Sequence, residues 1–436
     1  GIAESAKETS DTSEEWVCNY MNIQRKLLGF FLAAGMAAAA QVAPPAGLVL
    51  TGGTVYPAPG AKPIRNAIVV IREGKIVSIG KRHKVQAPRS ATVLDCSGKF
   101  IVAGFWNSHV HFTEGIWADP QGTAVKAGFS CTTCLQVAHM RDMLTRWGFT
   151  TVWDLGSDPQ KTLELRRMVE AGTIPGPKIL MAGDIFPEHG HPVYVPAEIQ
   201  LPEAATPADA QRMVRGYMYL GLDGTKLFTG SYMGQDKPVV NMDAEIVKAA
   251  VEITHELRRP VFAHPQNHAG VDVALAGGVD VLAHTIPTEG SFTADELAKI
   301  KQQHTAMTPT LTLWTTVTPN EEGQKHLVQA GVDELKAFMA AGGTVLFGTD
   351  VGFINKYDTG EEFEYMGRAM TWSEILASLT TNPAAFFKAP TKGRVEKDMD
   401  GDLVVLSADP AVDVRNFGKV EWTVRAGKVI WQAQGK

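Results

Sequence analysis

Three features of the 436-residue chain predict an α/β protein: a (β/α)8 TIM-type barrel with a small β-sandwich domain built from both chain ends. The first is a change of period. Short β-like runs with turn residues at each end enclose a long stretch in which apolar strand-like runs alternate with helical ones. The second is the count, because eight such strands fall between Phe105 and Asp350. The third is their near-continuous apolarity, as expected of a parallel sheet buried on both faces.

Residues 1–20 precede Met21 and read as an upstream extension. From Met21, "MNIQRKLLGFFLAAGMAAAAQ" sets Arg25 and Lys26 before the apolar run Leu27 to Ala34, then small residues. This is a secretory signal peptide over residues 21–40, too short to give a stable membrane span. Export, to a periplasmic location, is therefore expected. Export also decides how the cysteines are read. With Cys18 removed, Cys96, Cys131 and Cys134 remain, and "CTTC" can close as a short disulfide in an oxidising compartment. Small buried thiols are the alternative. One CxxC alone leaves a structural zinc cluster without its second half. A net charge of −6, with no basic run beyond "GKRHK", gives no electrostatic footprint for nucleic acid.

Residues 41–103 carry "GLVLTGGTVY", "AIVVIREGKIVSIG" and "ATVLDCSGKFIVAG", and residues 394–436 return to that style in "GDLVVLSADP" and "VEWTVRAGKVIW". The two ends are expected to pair into one sandwich. Between them, residues 104–393 hold the alternating units, such as "GFTTVWDLG", "QKTLELRRMVEAG", "KILMAGD", "DGTKLFTG", "PVFAHP", "VDVLAHT" and "TVLFGTD".

Barrel chemistry sits at the C-terminal strand ends. In "AGFWNSHVHF", His109 and His111 are alternate residues ending the first strand, so both rings project to one face. Lys226 lies on the fourth strand, His264 ends the fifth, His284 the sixth and Asp350 the eighth. Singly, each has a plain structural explanation: a capping aspartate, a satisfied histidine, a snorkelling lysine. Together at one rim, four histidines, an aspartate and an apolar-flanked lysine point to a metal site.

In that order these residues resemble the metal-dependent amidohydrolase superfamily, in its imidazolonepropionase-like and prolidase-like (Xaa-Pro dipeptidase-like) branch. The resemblance runs over nearly the whole chain after the signal, with "GFTTVWDLG" as second strand and "TTNPAAFF" as last helix. It implies two divalent metal ions, one held by His109, His111 and Asp350, the other by His264 and His284, with Lys226 bridging as an N-carboxylate. A lysine amine adds CO2 only when neutral, and burial beside cations lowers its pKa. Such ligands suit zinc, with manganese, cobalt or iron also compatible. The metals would acidify a water and polarise a carbonyl, with Asp350 moving the proton and His284 flanking the carbonyl. The implied activity is hydrolysis of small amides: dipeptides, N-acyl amino acids or related compounds. A lactonase, esterase or cyclic-amide hydrolase with the same site is the alternative, followed by a barrel that binds without turnover. A homo-oligomer is compatible with the sequence.

The departures also matter. Asn107 stands where the family often has Asp, and lacks the charge that makes a ligand more basic. In "HPQNH", Gln266 stands near the place of a carboxylate-binding tyrosine of prolidase-like members. Asn267 stands where deaminases of the superfamily carry Glu, which argues against deamination. The loop "PEHGHPVYVP" carries His189 and His191; similar dipeptidases use a histidine there on substrate, which favours His191. The stretch from Thr113 to Val137 is long for a βα connection and suits a lid. "EEFEY" after Asp350 is expected to open a helix, where acids suit the dipole.

Overall fold

The structure is a computed structural model that describes residues 47–86 and 88–433. The expected extension and signal peptide, residues 1–40, lie outside the described residues. Eight parallel strands follow one another in chain order: Phe105–Val110, Phe149–Asp154, Lys178–Pro187, Gly224–Leu227, Val261–Ala263, Val281–Ala283, Ala306–Thr308 and Thr344–Val345. The ring closes between the first strand and the segment after the eighth. There the Ser108 N–H donates to Phe347 O at 2.6 Å, and the His111 N–H to Val351 O at 2.8 Å. Burial of nearly every strand residue accounts for the continuous apolar runs in the sequence.

The helices between strands start where local chemistry satisfies their first N–H groups. Asp158 precedes Pro159, Thr206 precedes Pro207, and Asp243 and Asn267 cap the next two helices with their side chains. Gly221 and Gly278 end two of them in left-handed conformation.

Among the described residues, Gly230–Ser231 pairs with Val240–Asn241 after the fourth barrel strand, and two larger sheets lie outside the barrel. One orders Lys75–Lys81, Ala67–Arg72, Leu48–Thr51 and Thr92–Asp95. The other orders Thr54–Val55, Phe100–Ala103, Leu403–Leu406, Val420–Arg425 and Lys428–Gln432, so both chain ends contribute. Alternation along Leu403–Leu406 assigns its faces. Leu403 and Val405 share a core with Ile101 of their own sheet and with Leu50 and Val69 of the first. Val404 and Leu406 instead join the barrel's core with Phe105 and Phe149.

The long connection after the first strand is occupied by three helices, Gly115–Ala118, Pro120–Lys126 and Thr132–Met143. Cys131 and Cys134 are disulfide-bonded at the start of the third, their Cα atoms 5.3 Å apart. Glu114 bonds both His139 and the Tyr357 hydroxyl, tying this connection to the loop after the eighth strand. Among the described residues, no helix is long and apolar enough to cross a membrane.

Candidate metal centre and active site

The first strand delivers His109 and His111 to one point, as alternation requires, while Val110 is buried on the other side. Their Nε2 atoms are 3.2 Å apart. Asp350 Oδ1 lies 3.1 Å from His109 Nε2 and 2.9 Å from His111 Nε2. Ligands at 2.0–2.1 Å in a tetrahedral shell stand roughly 3.3 Å from one another, so these three atoms fit around one divalent ion. His111 donates from Nδ1 to Gly156 O at 2.7 Å, which leaves the Nε2 lone pair free to ligate. Among the described residues, His109 Nδ1 is buried without a hydrogen-bond partner. Burial, then the positive charge of Lys226, pushes the His109 imidazole down to about 3, so it is neutral and ready to bind metal. Burial alone would raise the Asp350 carboxyl, but the adjoining imidazoles outweigh it and hold the group ionised, well below the usual range.

Two further histidines and a lysine adjoin this cluster. The His284 ring lies 4.5 Å from that of His109 and 4.8 Å from that of His264, centroid to centroid. Thr310 Oγ1 meets His284 Nδ1 at 2.7 Å and turns the other ring nitrogen to the centre. Lys226 is only 1% exposed, its Nζ 5.5 Å from the Phe228 ring centroid, and Phe228 stacks on His264. Burial pushes the Lys226 ammonium down, towards the neutral amine that carboxylation needs.

Backbone strain is concentrated here. Gln266 (φ 57°), His284 (φ 89°), Thr310 (φ 46°) and Asp350 (φ 62°) are all in left-handed conformation just past the last four strands. Each costs about 1–2 kcal/mol, which the surrounding structure must offset. Buried acids supply part of that support. Glu362 accepts from Leu311 N, Thr312 N and Thr312 Oγ1 at 2.7–2.9 Å, fixing the turn that carries Thr310. Glu334 accepts from Ile286 N at 2.8 Å, just after His284. Asp154 accepts from Gly156 N, Ser157 Oγ and Thr162 Oγ1, shaping the loop whose Gly156 O holds His111.

Glu334 gives a pH test of this packing. Burial pushes its carboxyl up to about 9, so the folded protein holds it protonated where the unfolded chain ionises. Its contribution is full below the unfolded value and is lost as pH rises towards 9. Glu334→Gln removes that loss and keeps an acceptor for Ile286 N–H. Its stability relative to the parent should therefore improve by about 2–3 kcal/mol from pH 6 to pH 8 in urea titrations. A pH-independent difference would show that Glu334 is ionised in the folded state.

The other residues singled out in the sequence fall as follows. Gln266 Oε1 lies 3.2 Å from His264 Nε2, at the edge of the centre. Asn267 is engaged as a helix cap, accepting from Gly270 N and Asn241 Nδ2. Asn107 accepts from the His109 and Thr349 N–H groups and donates to Thr349 Oγ1, joining the first strand to the segment before Asp350. His191 Nε2 faces Val195 O at 3.2 Å, and His189, with φ 60°, puts its ring into solvent. The same loop brings Tyr194 to the mouth, its ring 5.3 Å from Phe353, which in turn sits edge-on to His111.

Sequence reasoning missed Tyr194, Asp154 and Asp184. Both aspartates stand at or near the ends of barrel strands and could have been found by the rule that flagged Asp350. Tyr194 had no such signal, because a loop has no period. "EEFEY" opens the helix Gly360–Gly367 as expected, but Glu362 points inward.

Ochratoxinase of Aspergillus niger is 23% identical over 420 residues, covering 85% of this chain and 83% of that protein. A prolidase complexed with N-methylphosphonate-L-proline superposes with a TM-score of 0.74 at 20% identity, over 88% of this chain and 100% of the other. Phenylurea hydrolase B gives 0.68 at 19% identity, over 88% and 96%. These solved structures share the fold. Residues 100–430 match the amidohydrolase family, a span that holds the whole barrel and every histidine, lysine and aspartate of the centre; the chain belongs to the amidohydrolase family.

Proposed function

We propose that the protein is an exported, binuclear metal-dependent hydrolase of amide bonds in small molecules. The observation that carries this reading is the convergence of His109, His111 and Asp350 on one point, with His264, His284 and Lys226 completing the rim beside them. Prolidase, ochratoxinase and phenylurea hydrolase B, to which the chain is similar, are names consistent with amide hydrolysis. His109, His111 and Asp350 would hold one divalent ion, His264 and His284 the other, and carboxylated Lys226 both. Zinc suits these ligands best. When bound, the ions supply Lewis acidity to the carbonyl and a lowered water pKa.

The chain's own residues do the rest. The Asp350 carboxylate, kept ionised by the imidazoles, accepts the proton of the attacking water and returns it to the leaving amine. His284, oriented by Thr310, flanks the carbonyl position. Phe353 and Tyr194 give the mouth an apolar lip. Export rests on the pattern of residues 21–40.

Gln266 decides the predicted selectivity. Its neutral amide faces His264 where a fixed partner for a substrate carboxylate would otherwise stand. Losing a hydrogen bond to a charged group costs roughly 1.5–3 kcal/mol, or about ten- to a hundredfold. In a screen of metal-loaded enzyme against free dipeptides, C-terminally blocked dipeptides, N-acyl amino acids, arylamides, lactones and esters, blocked amides should match or exceed free dipeptides. A hundredfold preference for free dipeptides would refute the role of Gln266. Turnover of esters and lactones alone would refute amide hydrolysis.

A further inference from the structure

We propose that Asp184, on the third barrel strand, is a specificity-determining residue that receives a cationic amine of the substrate, such as the free α-ammonium of an amino-acid amide. The inference rests on the amide-hydrolase reading and narrows its substrate class.

Three placements support it. Asp184 is the register partner of Lys226 on the adjacent parallel strand, so both side chains leave the sheet on its inner face. The outer side is covered, because the Tyr217 hydroxyl donates to Asp184 O from the helix Pro207–Leu220. Asp184 is nevertheless only partly buried, and its exposed surface therefore opens to the barrel mouth. Finally, the carboxylate packs directly against the backbone that orients a metal ligand. A Cβ on Gly156 would lie 2.6 Å from Asp184 Oδ2, and Gly156 O is the acceptor for His111 Nδ1.

What sets Asp184 apart is that no donor engages it. Asp154 has three donors, and Glu334 Oε2 and Glu362 accept from backbone N–H groups. Glu334 Oε1 and Asp350 Oδ1 also lack a hydrogen-bond partner, but Asp350 Oδ1 lies within 3.1 Å of two imidazole nitrogens. Among the described residues, Asp184 Oδ1 has no hydrogen-bond partner. A buried carboxylate oxygen left without a donor is costly, and a bound cation would remove that cost. The strand register sets Asp184 beside Lys226 at the rim, and the charges of Asp350 and then Asp184 add to the effect of burial in raising the Tyr194 phenol. Asp184 thus shares the space that Asp350 and the apolar lip enclose. A substrate with a free amine beside its carbonyl could place the amine at Asp184 and its side chain against Tyr194 and Phe353. The absence of a carboxylate partner at Gln266 complements this, favouring a charged amino side and a neutral leaving side.

The test uses the metal-loaded enzyme with L-leucine p-nitroanilide and N-acetyl-L-leucine p-nitroanilide. The parent should favour the free amine by about thirtyfold or more in kcat/KM, the range of one charge-assisted contact. Asp184→Asn should cut that ratio by at least about tenfold while metal content stays at the parent level. In the parent itself, isopentylamine should inhibit at concentrations about tenfold lower than isopentyl alcohol, which does not depend on the variant folding. A parent that prefers the acetylated anilide, a variant that loses both activities equally, or equal inhibition by amine and alcohol would each overturn the assignment. Turnover of neither anilide while blocked dipeptides are cleaved would overturn it too and leave the hydrolase reading standing. Turnover of no amide at all would remove both.

Discussion

Asp350→Asn should lower kcat on any amide substrate by at least about a thousandfold, within the range for loss of a positioned general base. The substitution isolates chemistry from folding. Asn tolerates the left-handed backbone that Asp350 adopts at φ 62° and keeps the side-chain shape between His109 and His111. It removes the anion, and with it both the charge that complements the metal and the proton acceptor. Steady-state kinetics paired with metal analysis separate the two losses. A variant that keeps metal and retains more than about a tenth of the parent kcat would show that Asp350 is not the base.

Lys226→Ala is expected to reduce bound metal from about two ions per chain to about one or fewer, and activity by at least about a hundredfold. The lysine is fully enclosed, so its removal leaves a space at the centre of the rim. Formate, acetate or propionate can enter that space and supply the bridging carboxylate, so part of the activity should return with rising acid concentration. Rescue by carboxylates but not by alkylamines would identify the missing group as an anion. Rescue by amines instead would mean that Lys226 acts as a cation.

The barrel and most of its rim were legible because periodicity carries that information. Near-continuous apolar strands ending in His109–His111, His264, His284 and Asp350 state both the layer and the end of the barrel at which each side chain sits. The spacing of "HPQN" likewise put Gln266 beside the fifth-strand histidine, and the structure places its amide oxygen at His264. The loops were less legible. His191 and Tyr194 are three residues apart in one loop, which Val193 N–H ties to Tyr232 O. No local pattern encodes that contact. Glu362 reads as a helix-opening acid among three in "EEFEY", and it is buried because two N–H groups some fifty residues earlier in the chain need an acceptor. Asp184 ends the apolar run "KILMAGD", where a lone acid declares nothing until its neighbours are known.

Elemental analysis decides whether this rim holds two metal ions. Protein stripped with a chelator, reloaded with zinc or manganese and passed through a desalting column should retain about two ions per chain. His109→Ala and His264→Ala should each reduce that number to about one. Retention of no metal by the reloaded parent, or a single ion indifferent to His264→Ala, would contradict the binuclear centre.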